Sequence, residues 1–300
     1  MFQYHCLNPI AGVGLANFNE NYQQSESLEG ADAVLVRSAA MHGMDLPKSL
    51  LAVARAGAGV NNIPLADCAE QGIVVFNTPG ANANGVKELV LAGMLLASRD
   101  IAGGIEWVKS DKEDGDIAKT AEKQKKKFAG CEISGKKLGI IGLGAIGRRV
   151  AQIARAFGAN VIYYSASGRP AQDGYTQVDF DTLLTTSDII SVHAPLNEHT
   201  ENLLDKCAFA KMKETCIFLN LGRGPIVVEQ DLYDALVNGE IAAAGLDVLS
   251  AEPMSEKNPL IKIQDSRRLF ITPHIAWASV EARTRLMQII LDQVKEYFHM

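Results

Sequence analysis

Three residues late in the chain combine side chains suited to proton and carbonyl chemistry: Arg223 in LGRGPIV, Glu252 in LDVLSAEP and His274 in TPHIAW. Histidine donates and accepts protons near neutrality with little adjustment. A carboxylate such as Glu252, paired with the imidazole, favours its protonated form and fixes its tautomer. Arginine presents a planar fork that can bind carboxylate and carbonyl oxygens together and polarise the carbonyl. Taken singly, each has a duller explanation: a surface arginine, a loop carboxylate before proline, a structural histidine. Each follows an apolar run, CIFLN, AGLDV or LFIT, and together they suit a redox enzyme acting on an alcohol or carbonyl carbon.

A redox step of that kind needs a hydride carrier, and residues 137–165 read as a site for one: KLGIIGLGAIGRRVAQIARAFGANVIYYS. Leu138–Ile141 is a strand buried on both faces, followed directly by Gly142, Gly144 and Gly147 in G-x-G-x-x-G spacing. The first glycine permits the turn, the second lets a pyrophosphate approach the backbone, and the third allows close packing of helix on strand. Ala145 and Ile146 open that helix, whose free N–H groups and dipole attract phosphate. Ile146, Val150, Ile153, Ala154 and Phe157 give it one apolar face, and Asn160–Tyr164 is the next strand. At the end of that strand, where an acidic residue would hold the adenosine ribose, stands Ser165. A carboxylate that would repel a 2′-phosphate is therefore missing there, and Arg169 could attract one, so NAD is expected with NADP left open.

The elements around these sites alternate strand and helix. Tyr4–Leu7, Ala33–Val36, the run into Arg55, and Ile73–Phe76 are strands, with Asp67–Gln71 a short helix between the last two. They predict a small parallel sheet of their own, separate from the glycine-fingerprint sheet. Arg37 and Arg55 stand at two of its strand ends, and the small-residue turn Ala56–Val60, including Ala58 and Gly59, can present backbone N–H groups to an anion. A long helix is expected from about Asn84 to Ile101, followed by a lysine-rich polar stretch that reads as a solvated helix or loop, or as an arm toward an anionic ligand or partner subunit. Beyond the fingerprint unit, DIISVH ends in His193, Ala194 and Pro195, and CIFLN, AGLDV and Phe270–Thr272 follow. In an open parallel sheet the ligand crevice lies at the carboxyl ends of the strands, so these ends should converge. A last helix, Ser279–Phe298, is expected to return to the first sheet.

Composition narrows the classes. Three hundred residues, 47% of them hydrophobic, can bury two moderate cores. A net charge of −6 argues against a general nucleic-acid binder. No window of the chain is apolar enough for a membrane span, and no secretory leader is read at its start. The five cysteines lack C-x-x-C spacing and read as reduced thiols of a cytoplasmic protein, and no metal site is expected.

RGPIV, LDVLSAEP and TPHIAW resemble, in order, the signatures of the D-isomer-specific 2-hydroxyacid dehydrogenases. That resemblance covers nearly the whole chain. It implies that Arg223, Glu252 and His274 are the substrate arginine, the orienting glutamate and the acid/base histidine, and that Asp247 contacts the nicotinamide amide. It implies an α/β fold class of two Rossmann-like domains with parallel sheets. The dinucleotide-binding domain (99–276) would be inserted into a discontinuous substrate domain (1–98 and 277–300), and the protein would be a homodimer acting on a small 2-hydroxy or 2-oxo acid.

Two branches of the family are represented. ARAGAGVNNIP and VVFNTPGANANGVKELVL are similar to D-3-phosphoglycerate dehydrogenase, in a short form without a regulatory domain. In that branch Arg37 and Arg55 would hold the phosphate, and the Ala58-Gly59-Val60 turn the carboxylate. YYSASGRP and HIAWASVEARTRLM are more like glycerate dehydrogenase or hydroxypyruvate reductase. A different class is also represented among such relatives, corepressor-like proteins that sense the dinucleotide. The substrate-domain motifs favour 3-phosphoglycerate and serine synthesis.

Overall fold

Short parallel strands, half of them buried along nearly their whole length, build the cores of this computed structural model, which describes residues 1–10, 12–16, 18–110, 115–168 and 174–298. Packing divides the chain into two units, Met1–Gly85 with Trp277–Met300, and Val86–Ala276.

The first unit opens with β1 (Phe2–Cys6), α1 (Gly12–Leu15), β2 (Tyr22–Ser25), β3 (Ala33–Val36), β4 (Ala52–Arg55), α2 (Leu65–Glu70) and β5 (Val74–Phe76). Its sheet runs β2-β1-β3-β4-β5 with every pair parallel. β3 reads AVLV and is buried at every position, the pattern of a central strand covered on both faces. β2 reads YQQS and lies at the edge with two exposed glutamines. So polar a segment carries no strand signal.

α3 (Ala83–Ser98) leads into the second unit, whose elements are α4 (Ile101–Ser110), α5 (Ile117–Gln124), β6 (Lys137–Ile141), α6 (Ala145–Ala156), β7 (Asn160–Tyr164), β8 (Thr176–Gln177), α7 (Phe180–Thr186), β9 (Ile189–Val192), α8 (Lys206–Ala210), β10 (Ile217–Asn220), α9 (Glu229–Asn238), β11 (Ala243–Leu246) and β12 (Leu269–Ile271). The sheet order is β12-β11-β10-β9-β6-β7-β8, again all parallel. Strand order reverses at β6, which pairs with β7 on one side and β9 on the other. Val150, Ala151 and Ala154 of α6 pack with Leu138 and Ile140 of β6. On the other side of the sheet, Leu183 and Leu184 of α7 and Leu232 and Leu236 of α9 pack with Ile190 and Phe218. The chain ends in α10 (Val280–Tyr297), where the Ser279 hydroxyl accepts from Ala282 N at 3.1 Å as an N-cap. Ile290 and Val294 of this helix pack with Phe2, Tyr4 and Leu35 in the first unit.

Several boundaries depart from the sequence reading. The helix expected from Asn84 to Ile101 stops at Ser98, and Ile101 begins α4 instead. Asp100 causes the break, its Oδ1 accepting from Gly103 N at 2.9 Å at the start of the new helix. The units divide within α3, after Gly85 and not after residue 98, because Val86, Val90 and Met94 pack with the β6 core. Of the lysine-rich stretch, read as a solvated helix or loop, residues 111–114 lie outside the described residues, and the rest includes α5 and a 3-10 turn at Lys125–Phe128, in keeping with the helical reading. The strand expected over Ala244–Val248 ends at Leu246, so Asp247 emerges at the carboxyl edge. Among the described residues, no helix is long and apolar enough to cross a membrane.

Gly245 occupies a central strand because its partner covers it. In the β11–β12 register Gly245 faces Phe270, and a Cβ on Gly245 would lie 2.1 Å from the ring. Gly245→Ala is therefore expected to destabilise the fold by about 1–3 kcal/mol, read by urea denaturation. Gly245→Ala combined with Phe270→Leu should recover part of that loss. A purely additive double variant would show that the ring is not the obstacle.

Candidate active site

Because β10, β11 and β12 are parallel neighbours, the loops after them leave from one edge of the sheet. Arg223 follows β10, Glu252 follows β11 and His274 follows β12. Asn220, the last residue of β10 and 1% exposed, shapes the first loop. Its Oδ1 accepts from Gly222 N at 3.1 Å, and its Nδ2 donates to the Arg223 carbonyl at 3.0 Å. The next residue, Gly224, packs so closely that a Cβ would lie 2.0 Å from the Leu249 carbonyl carbon. The arginine loop therefore rests directly on the backbone leading to Glu252. Arg223 donates through Nη1 to the Gly222 carbonyl at 2.8 Å. Burial pulls its pKa below the ordinary arginine value, and the nearby Glu252 charge acts in the opposite sense. An arginine so placed stays a cation.

His274 and Glu252 are joined at 2.7 Å, Nδ1 to Oε2, while Glu252 Oε1 accepts from Leu249 N at 3.0 Å. An ionised carboxylate only accepts, so Nδ1 carries the proton in this pair. The histidine backbone is left-handed, with φ +52°, a conformation that a non-glycine residue holds only when its surroundings enforce it. Asp247 supplies that enforcement. Buried to 1% exposure, it accepts from the Thr272 hydroxyl at 2.6 Å and Ile275 N at 2.8 Å through Oδ1, and from Ala276 N at 2.8 Å through Oδ2. The sequence reading assigned Asp247 a cofactor contact only and missed this clamp.

Further along the same edge, at the point where strand order reverses, the surroundings of the glycine loop fit a dinucleotide. Gly142 has φ +96°, and a Cβ there would meet Ala194 N at 2.6 Å, so the turn after β6 packs against His193-Ala194 after β9. A Cβ on Gly147 would lie 2.3 Å from the Gly142 carbonyl oxygen, which holds α6 close to the loop. Gly144 meets nothing within 4 Å and has no side-chain cap. The N–H groups of Ala145, Ile146 and Gly147 in the first turn of α6 have no preceding helical carbonyls. Ser165 follows β7 directly, with Oγ 3.1 Å from Ser167 Oγ and no carboxylate in the turn up to Gly168. Arg169 lies outside the described residues. His193 Nε2 is 2.9 Å from Ser191 Oγ, its buried Nδ1 has no partner, and Pro195 is exposed.

In the first unit, Arg37 and Arg55 stand at the carboxyl ends of paired strands, Val36 being in register with Arg55. Asn8 Oδ1 accepts from the N–H groups of Arg37, Ser38 and Ala39 at 3.0–3.3 Å. The turn after β4 ties its carbonyls inward: Thr78 N donates to Gly57 O at 3.0 Å, and Asn77 Nδ2 to Ala58 O at 2.8 Å. The N–H groups of Ala58, Gly59 and Val60 find no acceptor among the described residues. Asn8 and Asn77 were not anticipated, since nothing in an isolated asparagine signals which distant turn it will brace.

A separate groove of about 460 Å³, lined by Glu214, Thr215, Ile241, Asp265 and Arg267 among others, opens at the amino ends of β10–β12. It faces away from His274, and Arg267 there is paired with Asp265 at 2.7 Å.

Burial pushes the His193 imidazole from its ordinary 6.5 down to about 4. The folded state therefore keeps it neutral while the unfolded chain takes up the proton, so its contribution is complete above pH 6.5 and is lost as pH falls toward 4. The slope approaches about 1.4 kcal/mol per pH unit. His193→Gln should flatten the stability profile across that window. Parallel profiles for the two proteins would rule this out.

Residues 91–276 match the family model described as D-isomer specific 2-hydroxyacid dehydrogenase, NAD binding domain. The chain is 39% identical over 269 residues to D-3-phosphoglycerate dehydrogenase of Archaeoglobus fulgidus, covering 88% of this chain and 49% of that one. It thus spans about half the length of that relative. It is 38% identical over 310 residues to hydroxypyruvate reductase of Thermotoga maritima, covering 98% and 97% of the two chains. A solved acyclic imino acid reductase in complex with NADPH and D-Arg superposes with a TM-score of 0.85 at 27% identity, covering 99% and 97%. On the extent of these matches, the chain belongs to the D-isomer-specific 2-hydroxyacid dehydrogenase family.

Proposed function

We propose that the protein oxidises and re-forms the C2 hydroxyl of D-3-phosphoglycerate, interconverting it with 3-phosphohydroxypyruvate at the entry to serine synthesis. The observation that carries the reaction class is the His274–Glu252 pair at 2.7 Å beside Arg223, on loops from three adjacent strand ends. In oxidation, His274 Nε2 takes the hydroxyl proton while Glu252 holds Nδ1 and stabilises the imidazolium that forms. In reduction the imidazolium returns that proton. Arg223 stabilises the charge that develops on the C2 oxygen. The first turn of α6 with Gly144 would hold the pyrophosphate of a nicotinamide dinucleotide, which when bound would supply the hydride chemistry at C2.

Support for a phosphorylated acid comes from the first unit. Arg37 and Arg55 emerge from paired strand ends, and Arg37 forms no ion pair among the described residues. Phosphate accepts bidentate arginine contacts. The outward N–H groups of the Ala58-Gly59-Val60 turn suit the substrate carboxylate. We take the working form to be a homodimer.

A second reading, hydroxypyruvate reduction without a phosphate, is favoured by the match over nearly the whole length of the Thermotoga maritima enzyme.

Initial rates with D-3-phosphoglycerate and D-glycerate, each with NAD and NADP, separate the two. The first is expected to give the higher kcat/KM, and Arg37→Met to raise its KM by about 10- to 100-fold. Preference for D-glycerate would favour the second reading. His274→Ala should lower kcat by on the order of 10²- to 10⁴-fold while cofactor affinity is kept. Turnover of neither acid, nor of other small 2-oxo acids with reduced cofactor, would point instead to a dinucleotide-sensing protein.

A further inference from the structure

Arg37, half-buried at the end of the central strand β3, is held in an unusual way. Its Nε is buried without a hydrogen-bond partner, and no carboxylate pairs with it among the described residues. What its guanidinium does meet is an aromatic face. The guanidinium carbon lies 5.1 Å from the Trp277 ring centroid, within cation–π range. The backbone beneath is braced independently, because Asn8 Oδ1 accepts from three successive N–H groups starting at Arg37. Backbone and guanidinium are therefore both restrained, and no hydrogen bond among the described residues uses the guanidinium N–H donors.

Trp277 is restrained as well. It lies two residues before Ser279, the N-cap of α10, and that helix is docked on the first sheet through Ile290 and Val294. Arg285 and Gln293 of α10 donate to the carbonyls of Ala81 and Asn77 at 3.1 and 3.2 Å. An indole fixed in this way offers a flat, electron-rich surface that holds a guanidinium without neutralising its charge. A carboxylate in the same place would hold the arginine more tightly but would compete with an incoming anion. Leucine or alanine would leave the long side chain to sample its rotamers.

We propose that Trp277 is a specificity-determining positioning residue: its indole face holds Arg37 ready for the anionic group at the far end of the substrate, so that it contributes to selection of phosphorylated over unphosphorylated acids. This inference rests on the phosphoglycerate reading above. It assigns the selectivity to a pair formed by β3 and the segment leading into α10, not to an arginine alone.

The test compares wild type, Trp277→Leu, Trp277→Phe and Arg37→Met, assayed with D-3-phosphoglycerate and D-glycerate. Trp277→Leu is expected to lower the ratio of kcat/KM for the phosphorylated acid over the unphosphorylated one by about 3- to 30-fold. Trp277→Phe, which keeps a π face, should restore most of it. A role in folding alone would depress both acids equally and leave the ratio unchanged, and that result overturns the proposal while the substrate reading stands. Absence of phosphate preference in wild type overturns both. A second arm needs no turnover. In a Trp107→Phe background Trp277 is the remaining tryptophan of the two, and its emission should change on Arg37→Met and on titration with 3-phosphoglycerate but not with D-glycerate. Emission indifferent to Arg37 would show that the stack does not form, and would overturn the proposal by itself.

Discussion

The histidine loop depends on one buried carboxylate. Asp247 leaves the end of β11 at 1% exposure, and each of its oxygens accepts from the segment that follows β12. Burying a charge is costly unless hydrogen bonds replace its water. Here a hydroxyl and two backbone N–H groups do so, and all three belong to the residues on either side of His274. The charge is thereby satisfied only when the loop adopts the turn that puts His274 at φ +52°. The hydrogen bonds that satisfy the aspartate offset its desolvation and, with it, the local strain in the histidine. Glu252 can then reach Nδ1 at 2.7 Å from the neighbouring loop.

The parallel arrangement of the second sheet makes this possible. With β6, β9, β10, β11 and β12 all parallel, every loop that carries a candidate site residue leaves from the same edge. Close backbone contacts then set the spacing between loops: Gly142 against Ala194, and Gly224 against Leu249. A side chain at either glycine would force neighbouring loops apart. Gly142 thus sets the approach of the loops after β6 and β9, and Gly224 that of the loops after β10 and β11, while the core beneath them supplies the rigidity.

The first unit is organised differently. Its strand ends carry two arginines and a turn with unaccepted N–H groups, braced by asparagines and by the last helix of the chain. Among the described residues no carboxylate pairs with Arg37 there, so its charge stays unneutralised within the first unit. Aromatic stacking on Trp277 restrains the arginine at no expense in charge.

The amino-acid sequence by itself determined the family and the fold class. Buried strands written as AVLV, IISV and IFLN are local, as is a glycine fingerprint between a strand and an amphipathic helix. Arg223, Glu252 and His274 could be read as candidates because each lies within a few residues of the end of an apolar run, and in a parallel sheet that position sends them to one edge. What only the tertiary structure decided depends on partners distant in sequence. The Asp247 clamp joins residues 25 to 29 positions apart, and the Arg37–Trp277 stack joins the two ends of the chain. β2 carries too few apolar residues to signal a strand, and it exists because β1 offers an open edge. The ends of α3 and β11 were misread because a single aspartate beside each, Asp100 or Asp247, finds hydrogen-bond donors that end the element in one case and anchor a neighbouring loop in the other.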